Sequence, residues 1–336
     1  MATLNYTQRL SNLQNRRYDQ ELQKAFVTKS FSAKDLPENV KYLFESMKAI
    51  DQTYNDRTFV AAGNVQKHLQ DGYNLHFNRA YRTQGSVKTG TNIKVHSDFD
   101  LLAIIDRYHY QEATVTYPYT DSNPHDDIKE LRAQSVKIMK QIYDEVDDSG
   151  EKSISIFNKS LNRKVDIVFC FWYNSAKYDE TKNEYYRGVK FANMDIDYPF
   201  AHLHQVNAKG DNTSDGSRKG IRLLKTLRAD CETELKKLKS FHLTTIIHSI
   251  PNLNLLYAAA NELNIAKAIS NEMNTLLENP TYRQEVKSPN GTEKPLGNME
   301  VVPEIKRLKE DLDVLIEDSA KELLKSEALK KAVLTY

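Results

Sequence analysis

Two apolar runs, each opened by aspartate, limit what this chain can become: "DFDLLAII" at residues 98–105 and "KVDIVFCFWY" at 164–173. The second is apolar on both faces of a period-two pattern, which is the composition of a central strand. Asp166 stands alone in it, and a charged group there is costly unless something pairs with it. In the first run Asp98 and Asp100 are two residues apart, so in a strand they leave the same face. Two carboxylates on one face repel. Either they lie in water at a strand entrance, or a hard divalent cation sits between them. The isolated Asp166 favours the cation, because an adjacent strand bearing two more carboxylates and a metal would supply its partner.

The rest of the pattern surrounds these strands with helices. Leu43, Met47, Ile50 and Tyr54 recur at helical spacing and predict one long helix from Lys41 to about His68. "LHFNRAYRTQ" alternates as a strand that Gly85-Ser86 ends, and a further helix is expected from Ile128 to Val146. "SISIFNKSLNRKVDIVFCFWY" reads as two strands with a turn near Asn162. After a polar linker, "KGDNTSDGS", the chain reads as helical apart from a loop at "KSPNGTEKPLG". From Arg218 to Ser240 the residues Leu224, Leu227, Cys231, Leu235 and Leu238 predict one apolar stripe. Arg218, Arg222 and Lys225 fall on a separate cationic face, with Arg222 open to a structural role. Ile305, Leu308, Leu312 and Leu315 share a face of the last helix. The expected class is α+β and bilobal: an arm over 1–40, a sheet-bearing core over 41–212 and a helical lobe over 213–336.

Composition removes several alternatives. Of 336 residues 28% are charged and the formal net charge is +1, which argues against an obligatory nucleic-acid partner. The first residues lack the apolar core of a signal peptide, and no run approaches the ~18 apolar residues of a membrane span. A soluble, cytoplasmic protein is expected. Two cysteines make no zinc cluster, and His202 with His204 lacks a third ligand, which leaves the pair to a surface or packing role. A Walker loop fails because Thr91 and Asn92 stand after Gly90 where a lysine and a hydroxyl residue belong. An EF-hand fails because Ala103 occupies the required glycine position.

The spacing Gly85-Ser86, Gly90-Thr91, Ser97-Asp98-Phe99-Asp100, or GSxxxGTxxxxxSDxD, resembles the signature of the cGAS/DncV-like nucleotidyltransferases. These CD-NTases of bacterial CBASS anti-phage defence belong to the DNA polymerase beta-type superfamily. Asp166 in "VDIVF" matches the family's third carboxylate. "IRLLKTLRAD" resembles the helix whose lysine binds triphosphate, here Lys225, and "LKSFHL" the next helix, whose serine does so, here Ser240. Phe241 matches a position where relatives stack an aromatic on a base.

The resemblance implies a polymerase beta-like core, a mixed sheet with flanking helices, and a helical C-terminal lobe. It implies that Asp98, Asp100 and Asp166 hold two Mg2+ ions, with Mn2+ able to replace them. Gly85 would let the backbone approach phosphate, and Ser86 would add a hydroxyl. The implied activity joins NTPs, with pyrophosphate release, into a cyclic di- or trinucleotide second messenger. The expected partners are ATP, GTP, UTP or CTP, with an effector addressed only through the product, no membrane, and the chain acting as a monomer. Two rivals remain: a nucleotidyltransferase acting on an RNA or protein acceptor, and a non-catalytic nucleotide-binding scaffold. Three costly carboxylates count against the scaffold.

Overall fold

The structure, a computed structural model, describes residues 4–17, 36–95, 97, 99–112, 122–193, 195–258 and 261–325, with side chains to residue 323. Asp98 and His96 lie outside the described residues. The chain divides into two compact units: Asp51–Thr89 with His96–His204, and Met1–Ile50 with Gly90–Val95 and Gln205–Tyr336.

The first unit is built on a mixed sheet of β1 (Arg79–Gln84), β2 (Asp100–Gln111), β3 (Glu145–Asp147), β4 (Ser153–Asn158), β5 (Arg163–Asn174), β6 (Arg187–Phe191) and β7 (Ile196–Asp197). The order β1-β2-β5-β4-β3 places the two apolar runs side by side at the centre, and they run parallel. Every other pairing is antiparallel. The second half of β5 takes β6 as its partner, and β7 follows; neither short strand was expected from the sequence. Asn162, at φ 53°, turns β4 into β5 where the sequence placed the turn, and asparagine tolerates that left-handed conformation.

Strand alternation sorts the side chains. Leu101, Ala103 and Ile105 with Val165, Ile167, Phe169 and Phe171 pack against Ala61, Val65 and Leu69 of the helix Gln52–Gly72 and Leu131 and Met139 of the helix Pro124–Ile142. Asp100, Leu102 and Ile104 with Asp166, Val168, Cys170 and Trp172 take the opposite face, whose apolar end is closed by Val189 and Phe200. The helix Pro124–Ile142 starts earlier than expected because Asn123 caps it, its side chain accepting from His125 N at 3.0 Å, with proline in the first turn. It ends at Ile142, and Val146 belongs to β3.

The expected single helix from Lys41 to His68 is two helices, Glu38–Met47 and Gln52–Gly72. The break comes from a partner distant in sequence. Arg17 donates to the carbonyls of Glu45 (2.6 Å) and Lys48 (3.0 Å), satisfying acceptors that a continuing helix would have used. Asp51 then caps the new start through Thr53 N at 2.9 Å.

The second unit is helical. Its core joins Leu10 and Leu13 of the helix Tyr6–Arg17, Leu43, Leu224, Leu227, Ile246 and Ile269, and Ile305, Leu308, Leu312 and Leu315 of Val302–Lys325. The linker expected at "KGDNTSDGS" is shorter, because Lys209–Asn212 end the helix Pro199–Asn212 and Gly216 opens the next, Gly216–Ala229. The stripe from Arg218 to Ser240 is likewise not one helix. Gly216–Ala229 stops at Asp230, and Leu235 and Leu238 reach the same core from a non-helical segment. Glu304 holds that segment, its carboxylate accepting from the backbone N–H of Lys237 (2.9 Å) and Leu238 (2.7 Å). The "KSPNGTEKPLG" loop closes on itself through Ser288 N to Glu293 O at 2.8 Å and buries Leu296. Among the described residues, no helix is long and apolar enough to cross a membrane.

Candidate active site

The sheet register brings two of the three expected carboxylates together. Asp100 opens β2 directly opposite Asp166 on the parallel neighbour β5, and the ladder begins with Asp166 N donating to Phe99 O at 3.0 Å. Adjacent strands are ~4.8 Å apart, so the two carboxylates project from one face within reach of a shared ion. Both are half-buried.

Each carboxylate is held from the side. Gln84 of β1, in register with Asp100, donates its amide to Asp100 Oδ2 at 2.9 Å. Ser155 of β4, in register with Asp166, donates its hydroxyl to Asp166 Oδ1. Lys164, two residues before Asp166 and so on the same face, places Nζ 3.2 Å from Asp166 Oδ2. Sequence reasoning missed these three residues. Their only signal is parity: "SISIFN" puts Ser153 and Ser155 on one face, and Lys164 and Asp166 share one on β5.

The donor set suits a hard divalent cation. It consists of carboxylate oxygens from neighbouring strands, and an ammonium already stands against one of them, so positive charge is at home there. A second group, His76, Asp127 and Glu130, comes from other elements, and its buried Asp127 accepts from the Tyr108 hydroxyl at 2.6 Å.

Gly85 follows β1 at φ 118°, a conformation few residues but glycine adopt, and Lys88 N closes the turn onto Gly85 O at 3.1 Å. Ser86 lies in that turn, its carbonyl accepting from the Thr89 hydroxyl at 3.2 Å.

The remaining expected residues belong to the helical unit. Gly90 and Thr91 are anchored there: Gly90 O accepts from Arg222 at 2.6 Å and Thr91 O from Lys225 at 3.1 Å. Arg222, 1% exposed, also donates to Met47 O and Asp215, which fits the structural role left open for it. Burial, with a smaller push from Arg222, lowers the Lys225 ammonium to a pKa of about 8. Ser240 is exposed at the first turn of the helix Ser240–Ser249, and Phe241 beside it is half-buried. His204 stacks on Tyr185 with ring centroids 4.1 Å apart, a packing contact.

No model of a protein family matches the chain. Individual proteins do. A c-di-GMP synthase of Lachnospiraceae bacterium (strain RUG226) is 31% identical over 298 residues, spanning 78% of this chain and 84% of that protein. The chain is a CD-NTase. A cyclic dinucleotide synthase CdnE from Yersinia aleksiciae is 29% identical over 295 residues, covering 84% of this CD-NTase and 77% of the relative. Among solved structures, a STING-associated CdnE c-di-GMP synthase from Capnocytophaga granulosa superimposes with a TM-score of 0.81 at 28% identity, over 95% of this chain and 99% of that one. The polymerase beta-like fold expected from the sequence is therefore present, and the chain is a nucleotidyltransferase of the cyclic-oligonucleotide synthase class.

Proposed function

We propose that this CD-NTase converts two molecules of GTP into cyclic di-GMP, a second messenger that addresses an effector in anti-phage defence. The base choice is supported by relatives named c-di-GMP synthases, at 31% and 28% identity, and the signalling role by the STING association of a similar solved structure. The observation that carries the catalytic part is the in-register pairing of Asp100 with Asp166 on one face of the sheet.

In this reading a ribose hydroxyl of one nucleotide attacks the α-phosphate of the other. The new P–O bond forms as the bond to the β-phosphate breaks and pyrophosphate leaves, and a second round closes the ring. Asp98, Asp100 and Asp166 would hold two Mg2+ ions, or Mn2+, which would supply Lewis-acid chemistry to the reacting hydroxyl and phosphate. In the same reading Asp166 accepts the hydroxyl proton. Gly85 admits phosphate to the backbone, Ser86 and Ser240 donate hydroxyls to the triphosphate, Lys225 supplies a point charge and Phe241 stacks on a base. The enzyme acts in the cytoplasm as a monomer whose partners are its nucleotides.

Incubation with the four NTPs and Mg2+, phosphatase digestion and mass spectrometry test the proposal. GTP alone should suffice for a phosphatase-resistant cyclic product. Label appearing only on added RNA or protein would support an acceptor-modifying enzyme, and saturable NTP binding without turnover a scaffold.

The assignment of Lys225 makes a pH prediction. Its ammonium loses a proton near pH 8 in the free protein, whereas a bound triphosphate favours the charged form. Binding above that pH therefore takes up a proton, and affinity for a non-hydrolysable GTP analogue should fall as pH rises, approaching about tenfold per unit. Below about pH 7 it should be flat. Calorimetry on Lys225→Met should show weak binding without this pH dependence; a dependence that survives the substitution removes Lys225 from the role.

A further inference from the structure

The register of five strands lines up one transverse row of polar side chains: Gln84, Asp100, Asp166, Ser155 and Asp147. A cation-binding carboxylate works best when its second oxygen is fixed by a neighbour, because that orients the first. In Asp166 the two oxygens have different company. Oδ1 takes the Ser155 hydroxyl, and Oδ2 faces the Lys164 ammonium at 3.2 Å. The serine thus fixes which oxygen is presented, and the lysine marks where positive charge goes. The ammonium is on a 45% exposed side chain and can withdraw. Asp147, the last residue of the row, has its carboxyl lowered chiefly by the hydroxyl and backbone N–H of Ser149, with the Lys164 charge a smaller contribution.

We propose that Ser155 is a positioning residue that presents Asp166 Oδ2 to the divalent cation, and that Lys164 occupies that oxygen until the cation displaces it. This rests on the reading of Asp166 as a metal ligand. It assigns the two residues effects of opposite sign. Removing the serine hydroxyl loosens the carboxylate and weakens the ion, whereas removing the ammonium takes away a competitor and tightens it.

The test is Mn2+ alone, titrated into the full-length protein without nucleotide and followed by the paramagnetic resonance of free Mn2+, with thermal melts to show that each variant folds. Ser155→Ala should weaken Mn2+ about tenfold, the lower end for loss of a carboxylate's supporting hydrogen bond, and Ser155→Thr should restore it. Lys164→Met should tighten it a few-fold, the scale of a partly exposed ion pair. Asp166→Asn separates the two levels of the argument. If Asp166→Asn loses affinity while Ser155→Ala and Lys164→Met match wild type, this inference fails and the ligand assignment stands. If Asp166→Asn binds like wild type, both fail. Weaker binding by Lys164→Met overturns the role of the lysine, and no binding by wild type at millimolar Mn2+ overturns displacement altogether.

Discussion

Asp166→Asn should cut cyclic product formation by about three orders of magnitude or more while the protein melts within a few degrees of wild type. The substitution keeps the shape of the side chain and an oxygen for the Ser155 hydroxyl, and it removes only the charge. Charge is what the proposed chemistry needs: a metal's stabilisation of transferring phosphate is worth several kcal/mol, and each ~1.4 kcal/mol is a tenfold change in rate. The structural loss is small by comparison. The Asp166–Lys164 pair lies at a half-open surface, where ion pairs contribute about 0–1 kcal/mol. Asp100→Asn should behave alike, since Gln84 can still donate to the amide oxygen. Asp144→Asn is the control, on a side chain 79% exposed and paired only with surface lysine in the described contacts; its rate should be unchanged. Pyrophosphate release measured on all three decides the matter. More than about a tenth of wild-type rate in Asp166→Asn would remove that carboxylate from the chemistry.

The carboxylates were legible because a strand repeats every two residues and because an aspartate in an apolar run has few explanations. What the runs cannot say is which strands become neighbours. That Asp100 faces Asp166, and that Gln84 and Ser155 flank them, depends on strand order and register, which are set by the whole sheet. The two misread helices fail for a related reason. Apolar spacing continues through Met47, Ile50 and Tyr54, yet the helix breaks because Arg17, far away in sequence, takes its carbonyls. Leu235 and Leu238 keep helical spacing with Leu227 because all three fill one core, but Glu304 holds their backbone instead of a helix. Periodicity reports burial faithfully and reports hydrogen bonding only when the partners are local. Asp98, the first carboxylate of the motif, falls outside the described residues, and its role is read from the sequence.

Asp230→Ala should destabilise the helical unit by about 3–5 kcal/mol, the range for stripping one partner from a buried ion pair. The Asp230 side chain has no exposure, and it accepts two hydrogen bonds from Arg16, at 2.6 and 2.8 Å, and one from the Tyr42 hydroxyl at 2.8 Å. Alanine would leave the Arg16 guanidinium, only 12% exposed, and a fully buried phenol without that carboxylate. Burial, then Asp230, already raises the Tyr42 hydroxyl well above the usual tyrosine range, so ionisation offers no relief. Denaturant unfolding followed by circular dichroism measures the loss, and a drop below about 1 kcal/mol would mean that the pair is worth no more than a surface one. A double variant, Arg16→Met with Asp230→Leu, should recover most of the stability, because apolar contact in place of a buried pair removes the unpaired charge. The consequence reaches the proposed function through one helix. Asp230 caps the helix Gly216–Ala229 that carries Arg222 and Lys225, and Arg16 ties that end to the N-terminal helix. Loosening it should weaken GTP-analogue binding even in solutions where Asp230→Ala remains folded, and the double variant should restore affinity along with stability.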